Sequence, residues 1–190
     1  RKWVRIYVAD QGYPEWSEQK TAFYKKLEEG GHKVYKTPFN SGLSYNRNFL
    51  VEKSNEPYVM IVDDDFEFTT NTDLGAFLEV LNHKEYNGIV GGNIENRPPY
   101  HADLIFEEKN NKRYLYRVQK LNEPQKVTVY NINKKNTELT YFYTDIVLNF
   151  FLAKREVLEE VPLDNNLKLV EHTDHFLRIK QGNKWKVCHY

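Results

Sequence analysis

A chain of 190 residues is long enough to bury one proper core and short enough to expect a single domain over 1–190. Its 27 Lys and Arg balance 27 Asp and Glu, which leaves no net positive charge with which to hold nucleic acid or an anionic membrane. The single cysteine, Cys188, excludes an internal disulfide, and no apolar run approaches the roughly 18 residues that span a bilayer. Aromatic residues make up 15%, with 14 Tyr, a supply of rings that suits a sugar-binding cleft as well as an ordinary core. No signal peptide is visible. The chain begins at Arg1 rather than Met and enters a strand-like run almost at once, as expected of a fragment of a longer polypeptide.

Trp3–Ala9 reads as a strand ending at Asp10, followed by the loop Gln11–Pro14. Ser17 is placed to cap a helix carrying Phe23, Tyr24 and Leu27 that stops at Gly30 and Gly31. His32–Tyr35 is a short strand and Pro38–Gly42 a loop, after which Ser44 is placed to cap a helix through Tyr45–Val51. Tyr58–Val62 is an uninterrupted apolar run that suits a strand covered on both faces in a parallel sheet. It runs straight into Asp63, Asp64 and Asp65. Thr72 or Asp73 opens a helix with Leu74, Phe77, Leu78 and Leu81 on one face, and Ile89-Val90 is a short buried strand ending in Gly91-Gly92. Strands alternating with helices predict a parallel sheet with crossover helices.

The middle of the chain differs. From Arg97 to Thr140 it is polar and rich in Asn and Lys, with Tyr114, Tyr116 and Val118 alternating, and likewise Val127 and Val129. That pattern predicts exposed antiparallel strands or a hairpin, with Asn133–Asn136 as a solvated turn. Order returns at Tyr141–Ala153, a buried strand pair or one bent strand. A short helix over Arg155–Val161, a helix led by Glu171–Phe176 to Gly182, and a last strand at Trp185–Cys188 follow.

Carboxylates stand at three separated element ends: Asp10, Asp63 to Asp65, and Glu171 with Asp174. Adjacent carboxylates repel one another unless a cation offsets them, and hard oxygen ligands suit Mg²⁺, Mn²⁺ or Ca²⁺ rather than zinc. In an extended segment Asp63 and Asp65 share a side and Asp64 takes the other, so Asp64 is the member least expected to touch an ion. Ligands collect beyond the carboxyl ends of strands in open α/β sheets, which makes Asp63 and Asp65 candidates for a metal–diphosphate. Asp10 can accept from a nucleobase N–H or form a turn, and Arg47 can offer its fork to a phosphate, orient the aspartates or form a surface ion pair. Asp174, in the first turn of its helix, is a candidate base or a simple cap, and Glu171 competes for the same role. Asp145, inside an apolar run, needs a partner, either a sugar hydroxyl or an internal backbone N–H. His172 and His175 share a helix face but lack a third metal ligand at a recognisable spacing.

The succession of a strand ending in Asp, Asn40-Ser41-Gly42-Leu43-Ser44 with Arg47-Asn48, the strand into Asp63-Asp64-Asp65-Phe66, and Val90-Gly91-Gly92 resembles a GT-A-fold glycosyltransferase. Thr144-Asp145, Leu148 to Lys154, and His172, Asp174 and Phe176 are similar to the β-1,4-N-acetylgalactosaminyltransferases that include ganglioside GM2/GD2 synthase. The resemblance implies an α/β GT-A (nucleotide-diphospho-sugar transferase) fold, with a mostly parallel central sheet flanked by helices and a small antiparallel insertion. It implies a UDP-sugar donor, N-acetylgalactosamine as its sugar, and a glycan or glycoconjugate acceptor. Asp10 would contact uracil, and Asp63 and Asp65 would serve the ribose and Mn²⁺ or Mg²⁺. Arg47, Asp145 and Gly92 join the donor-binding set, and Asp174 would be the base of an inverting transfer. Glu171 stands where such relatives have a small residue, which leaves the base open between it and Asp174.

The family's first strand would lie before Arg1, and a C-terminal histidine that completes metal binding after Tyr190. Animal relatives carry several cysteines and a Golgi membrane anchor, whereas this chain has one Cys. A bacterial-type cytoplasmic enzyme is therefore favoured over a Golgi-lumenal fragment, and any peripheral membrane association would come through missing regions. Two rivals stay open at this point: a degenerate transferase domain that binds nucleotide or glycan without turnover, and a metal-dependent nucleotidyltransferase or phosphohydrolase using the same carboxylates.

Overall fold

The computed structural model describes residues 4–12, 15–95, 98–119, 122–129 and 137–190. The start of the first expected strand, part of the loop after it and the turn over 133–136 lie outside these residues. The chain divides into two compact units: the described parts of Arg1–Asn55 with Leu163–Glu171, and of Glu56–Pro162 with His172–Tyr190.

In the first unit, β1 (Tyr7–Asp10) and β2 (Lys33–Lys36) form a two-stranded parallel sheet. The parallel pair is joined through α1 (Glu18–Glu29), because parallel neighbours need a crossover rather than a hairpin. Ser17 caps α1 as expected, its Oγ accepting from the Lys20 N–H at 3.2 Å, and Gly31 takes the positive φ of 86° that ends the helix. The next helix, α2 (Leu43–Lys53), is not capped by Ser44. Gly42, at φ 91°, occupies the cap position, and the buried Ser44 hydroxyl donates to the Leu167 carbonyl instead. Asn48 on α2 clamps the returning segment, donating to the Leu163 carbonyl at 2.7 Å and accepting from its N–H at 3.0 Å.

The second unit is built on a six-stranded sheet. Its strands are β3 (Tyr58–Val62), β4 (Asn87–Gly91), β7 (Pro124–Val129), β8 (Thr137–Thr144), β10 (Phe150–Lys154) and β11 (Lys186–His189), in the order β3-β10-β4-β11-β8-β7. A hairpin of β5 (His101–Lys109) and β6 (Lys112–Val118) continues through β9 (Ile146–Val147) as a three-stranded sheet. Helices α3 (Leu74–His83), α4 (Arg155–Glu160) and α5 (Glu171–Gly182) complete the described elements. Asp73 opens α3 as expected, accepting from the Ala76 N–H at 3.0 Å.

The expectation of a mostly parallel sheet holds for strand direction but not for pairing. β10 runs antiparallel between β3 and β4, and β8 antiparallel between β11 and β7, so β4 with β11 is the parallel pair of this sheet. β3, β4, β11 and β7 therefore point one way, each with an antiparallel neighbour. The antiparallel middle is not a segregated insertion either, since β7 and β8 extend the main sheet while β5 and β6 stand apart from it. β3 was expected to be covered on both faces, but it is the end strand of the order and only its Ile61 is fully buried. β4, by contrast, is buried along its whole length.

The core joins Phe77, Val80 and Leu81 of α3 to Val90, Tyr141, Phe150, Leu152 and Cys188 of the sheet. Tyr141 is buried with its hydroxyl 3.0 Å from His83 Nδ1, and the buried Asn87 amide donates to the Val80 carbonyl at 2.7 Å. Pairing these groups avoids the cost of an unsatisfied polar atom in the core. Gly91 is a point of close approach, since a Cβ there would lie 2.5 Å from Val147 Cβ. Val147 pairs with His101 and Gly91 with His189, so the bare glycine backbone lets β9 settle on the sheet and carries His101 to His189. Gly91→Ala should cost about 1–3 kcal/mol through this overlap, read as a lower urea midpoint at unchanged m-value.

Candidate functional site

Asp10 closes β1 in the first unit. Its Oδ1 accepts from the Gly12 N–H at 2.8 Å, while Oδ2 accepts from the Tyr24 hydroxyl at 2.6 Å and pairs with Lys20 Nζ at 2.6 Å. Burial raises the Asp10 carboxyl, but the hydrogen bonds from Lys20, Tyr24 and Gly12 outweigh it and hold the group below its ordinary value. A carboxylate offers about four acceptor positions, so one is left for a ligand N–H. Trp16 stands edge-on to Tyr24 with ring centroids 4.9 Å apart, and its buried Nε1 has no hydrogen-bond partner among the described residues. A Cβ on Gly12 would lie 2.9 Å from Trp16 Nε1 and 3.3 Å from Asp10 Oδ1. The absent side chain thus makes room for the indole itself, whose Cδ1 would lie 2.6 Å from such a Cβ.

Arg47, on α2, is held by Glu171, the first residue of α5, at 3.2 Å, with side chains 12% and 8% exposed. This is a buried ion pair between residues 124 apart in sequence. Removing one member of such a pair leaves an uncompensated buried charge. Of the roles open to Arg47, the contact seen is with the competing base candidate.

In the second unit, the Asp63 N–H donates to the Asn149 carbonyl at 3.3 Å and the Asp63 carbonyl accepts from Phe66 N at 3.4 Å, which turns the chain sharply after β3. Asp63 is half-buried, and Asp64 and Asp65 are exposed. Among the described residues no three His, Cys, Asp or Glu converge on a metal-sized gap. Mg²⁺ and similar ions are commonly held by one or two carboxylates with substrate phosphates completing the shell. The donor set at Asp63 and Asp65 fits that arrangement better than an all-protein cage.

Gly92 is buried, its N–H donates to the Phe150 carbonyl at 3.3 Å, and a Cβ there would come within 2.6 Å of the Phe77 ring. Its lack of a side chain serves packing against α3. Of the two partners considered for Asp145, the internal ones are present: Oδ2 accepts from the Leu104 N–H at 2.8 Å and from Lys180 Nζ at 2.5 Å. Asp174 lies in the first turn of α5, with Oδ2 accepting from Arg178 Nε at 2.8 Å and its side chain 29% exposed. Arg178 is in turn fixed by the Pro162 carbonyl at 2.7 Å. His175 is buried beside Phe176, ring centroids 5.6 Å apart, as a core residue.

Because β3, β4 and β11 point the same way, Asp63, Gly92 and His189 leave the sheet at one edge. Three residues there escaped the sequence reading: Asn93, His101 and His189. His189 Nε2 lies 3.2 Å from Asn93 Oδ1, and the His101 and His189 rings stand 4.4 Å apart. A histidine closing a buried strand was the available signal for His189; nothing local marks His101.

The sequence profile of glycosyl transferase family 2 matches residues 2–161. Mouse beta-1,4 N-acetylgalactosaminyltransferase 2 is 30% identical over 147 residues, covering 75% of this chain and 26% of its own length. Human beta-1,4 N-acetylgalactosaminyltransferase 1 is 32% identical over 151 residues, with the same coverage of 75% and 26%. The chain thus spans about a quarter of these curated relatives. Among solved structures, S. aureus TarS 1-349 in complex with UDP matches with a TM-score of 0.55 at 14% identity, over 98% of this chain and 50% of that one. At that identity the likeness speaks for the fold alone.

Arg47→Met should destabilise the chain by about 3–5 kcal/mol by stranding the Glu171 carboxylate. Arg47→Met combined with Glu171→Leu should recover most of that loss. Equilibrium denaturation of the two variants checks this, and equal losses in both would show that the pair is not coupled.

Proposed function

The chain belongs to glycosyl transferase family 2 and has the GT-A fold, and from that premise we propose that it is a glycosyltransferase that moves N-acetylgalactosamine from a UDP-sugar to a carbohydrate acceptor with inversion. The observation that carries this reading is the placement of Asp63 to Asp65 at the carboxyl end of β3, on the edge that Gly92 and His189 share. The activity for which the two N-acetylgalactosaminyltransferases are named supports the choice of sugar, and the UDP held by TarS supports the nucleotide. The acceptor position left on Asp10 supports a place for a nucleobase N–H. Residues 1–190 are taken to work as one transferase domain.

In this reading Asp10 accepts the uracil N–H, and Asp63 serves the ribose and, with Asp65, the divalent ion. Mn²⁺ or Mg²⁺ held there would offset the charge on the departing UDP. Arg47 acts on Glu171, which it engages in a buried ion pair at 3.2 Å. That leaves Asp174, part-exposed and steadied by Arg178, as the base. It removes the acceptor hydroxyl proton as that oxygen attacks the anomeric carbon from the face opposite UDP. The new C–O bond forms, the bond to the diphosphate breaks, and UDP leaves with the electron pair. Asp145 and Gly92 support the site through the internal contacts described above.

Calorimetric titration of UDP should show at least tenfold tighter binding with Mn²⁺ than without, and equal affinities would remove the metal from the proposal. Asp174→Asn should lower kcat by about 10²–10⁴-fold, the usual contribution of a general base, while leaving the UDP Kd within about twofold. Full transfer activity in Asp174→Asn would move the role to Glu171.

A further inference from the structure

Beyond the carboxyl ends of β4 and β11 lies a cavity of about 580 Å³ lined by Asn93, Pro99, His101, Gln119, Phe142 and His189. That volume falls within the usual range for small-ligand sites. His101 and His189, each 6% exposed, form its floor, and Asn93, Pro99 and Gln119 its exposed rim. Phe142 is the cross-strand partner of His189, so its ring stands on the same face and supplies an apolar wall. The floor is a product of the Gly91 contact described above, which seats β9 on the sheet and carries His101 with it.

The lining is chemically distinctive in what it offers. Among the described residues no Lys, Arg, Asp or Glu lines it. The two amides and two imidazoles provide donors and acceptors together, beside one aromatic surface. Burial, reinforced by the neighbouring His101, brings His189 down to about 4, and burial lowers His101 too, against the opposing pull of Asp103. Both rings are therefore uncharged at neutral pH, each with one nitrogen donating and one accepting. A ligand rich in hydroxyl groups, with an apolar ring face and no charge, matches such a lining.

The cavity also stands in a useful place. Counting three strand steps from β3 to β11 at about 4.8 Å each puts it roughly 14 Å across the sheet from Asp63. That is too far for one ligand shell and close enough for two parts of one substrate assembly. On its other side, Tyr100, between two lining residues, stands against His172 in the first turn of α5, ring centroids 6.2 Å apart, the turn that also carries Asp174.

We infer that the cavity bounded by Asn93, His101, Gln119, Phe142 and His189 seats a neutral sugar ring during transfer. This rests on the transferase reading. The same chemistry belongs to the transferred sugar of the donor and to the terminal sugar of the acceptor, and the test separates them. Asn93→Ala and Gln119→Ala, both at the exposed rim, remove one polar side chain each, Asn93→Ala also taking the Oδ1 that stands 3.2 Å from His189 Nε2, and His189→Phe fills the floor.

Binding of UDP, UDP-N-acetylgalactosamine and free N-acetylgalactosamine is measured on the wild type and each variant, by calorimetry for the nucleotides and ligand-observed NMR for the free sugar. Each rim substitution should weaken a sugar-bearing ligand about 3- to 10-fold, the value of one hydrogen bond, and leave UDP within twofold. Weakening of UDP-N-acetylgalactosamine beyond UDP assigns the cavity to the transferred sugar, and weakening of the free sugar alone assigns it to the acceptor. Equal weakening of UDP and UDP-N-acetylgalactosamine would overturn the inference in favour of a nucleotide pocket. So would a variant set, His189→Phe included, that binds all three ligands like the wild type. In those two cases wild-type UDP binding still upholds the transferase reading, whereas a wild type that binds none of the three overturns both.

Discussion

The second unit depends on one strand being inserted against the grain. β10 runs antiparallel between β3 and β4 and bonds to both, pairing Phe150 with Val62 and Phe151 with Gly91. With β10 in place, β3 and β4 must point the same way, and β11, parallel to β4, follows. The acidic turn after β3, the glycines after β4 and the histidine that ends β11 are thus delivered to one edge. Phe150 also meets Phe66, Phe68 and Phe77, so the residue that sets the register also holds the turn after the aspartates to the core.

A second constraint is the want of side chains at Gly91 and Gly92. One face of the sheet accepts Val147 and the other Phe77 at distances no Cβ would permit. Adjacent residues of a strand face opposite sides, so two consecutive glycines let two layers approach the same point of β4 from both faces. In a phosphate-binding loop the same dipeptide would be read as room for a ligand; here its first use is packing. The consequence for the site is indirect but large, because the approach of β9 is what creates the paired histidines.

Charges are handled differently in the two units. Asp10 is surrounded by donors from its own unit, which fix its rotamer and its ionised state while leaving an acceptor position open. The side chains of Asp64 and Asp65 stand exposed to solvent, with Asp63 half-buried beside them. Arg47 and Glu171 are buried together, an arrangement that contributes little net stability but makes either residue costly to lose alone. That difference explains why the two base candidates, three positions apart in sequence, have unlike chemical freedom.

The sequence by itself determined most of the elements. Period and punctuation located α1 with its Ser17 cap, α3 with its Asp73 cap, the strand into Asp63 and the buried strand into Gly91, since propensity and capping act over a few residues. Resemblance of scattered motifs also carried it to the family and fold. Only the tertiary structure decided which strands are neighbours, that β3 is an end strand, that Ser44 serves Leu167 rather than its own helix, and that Arg47 meets Glu171. It also decided that the His101 and His189 rings stand 4.4 Å apart in a lining they share with Phe142. Cross-strand partners are fixed by ladder register and by which layers can approach closely, and neither leaves a periodic trace in the local sequence.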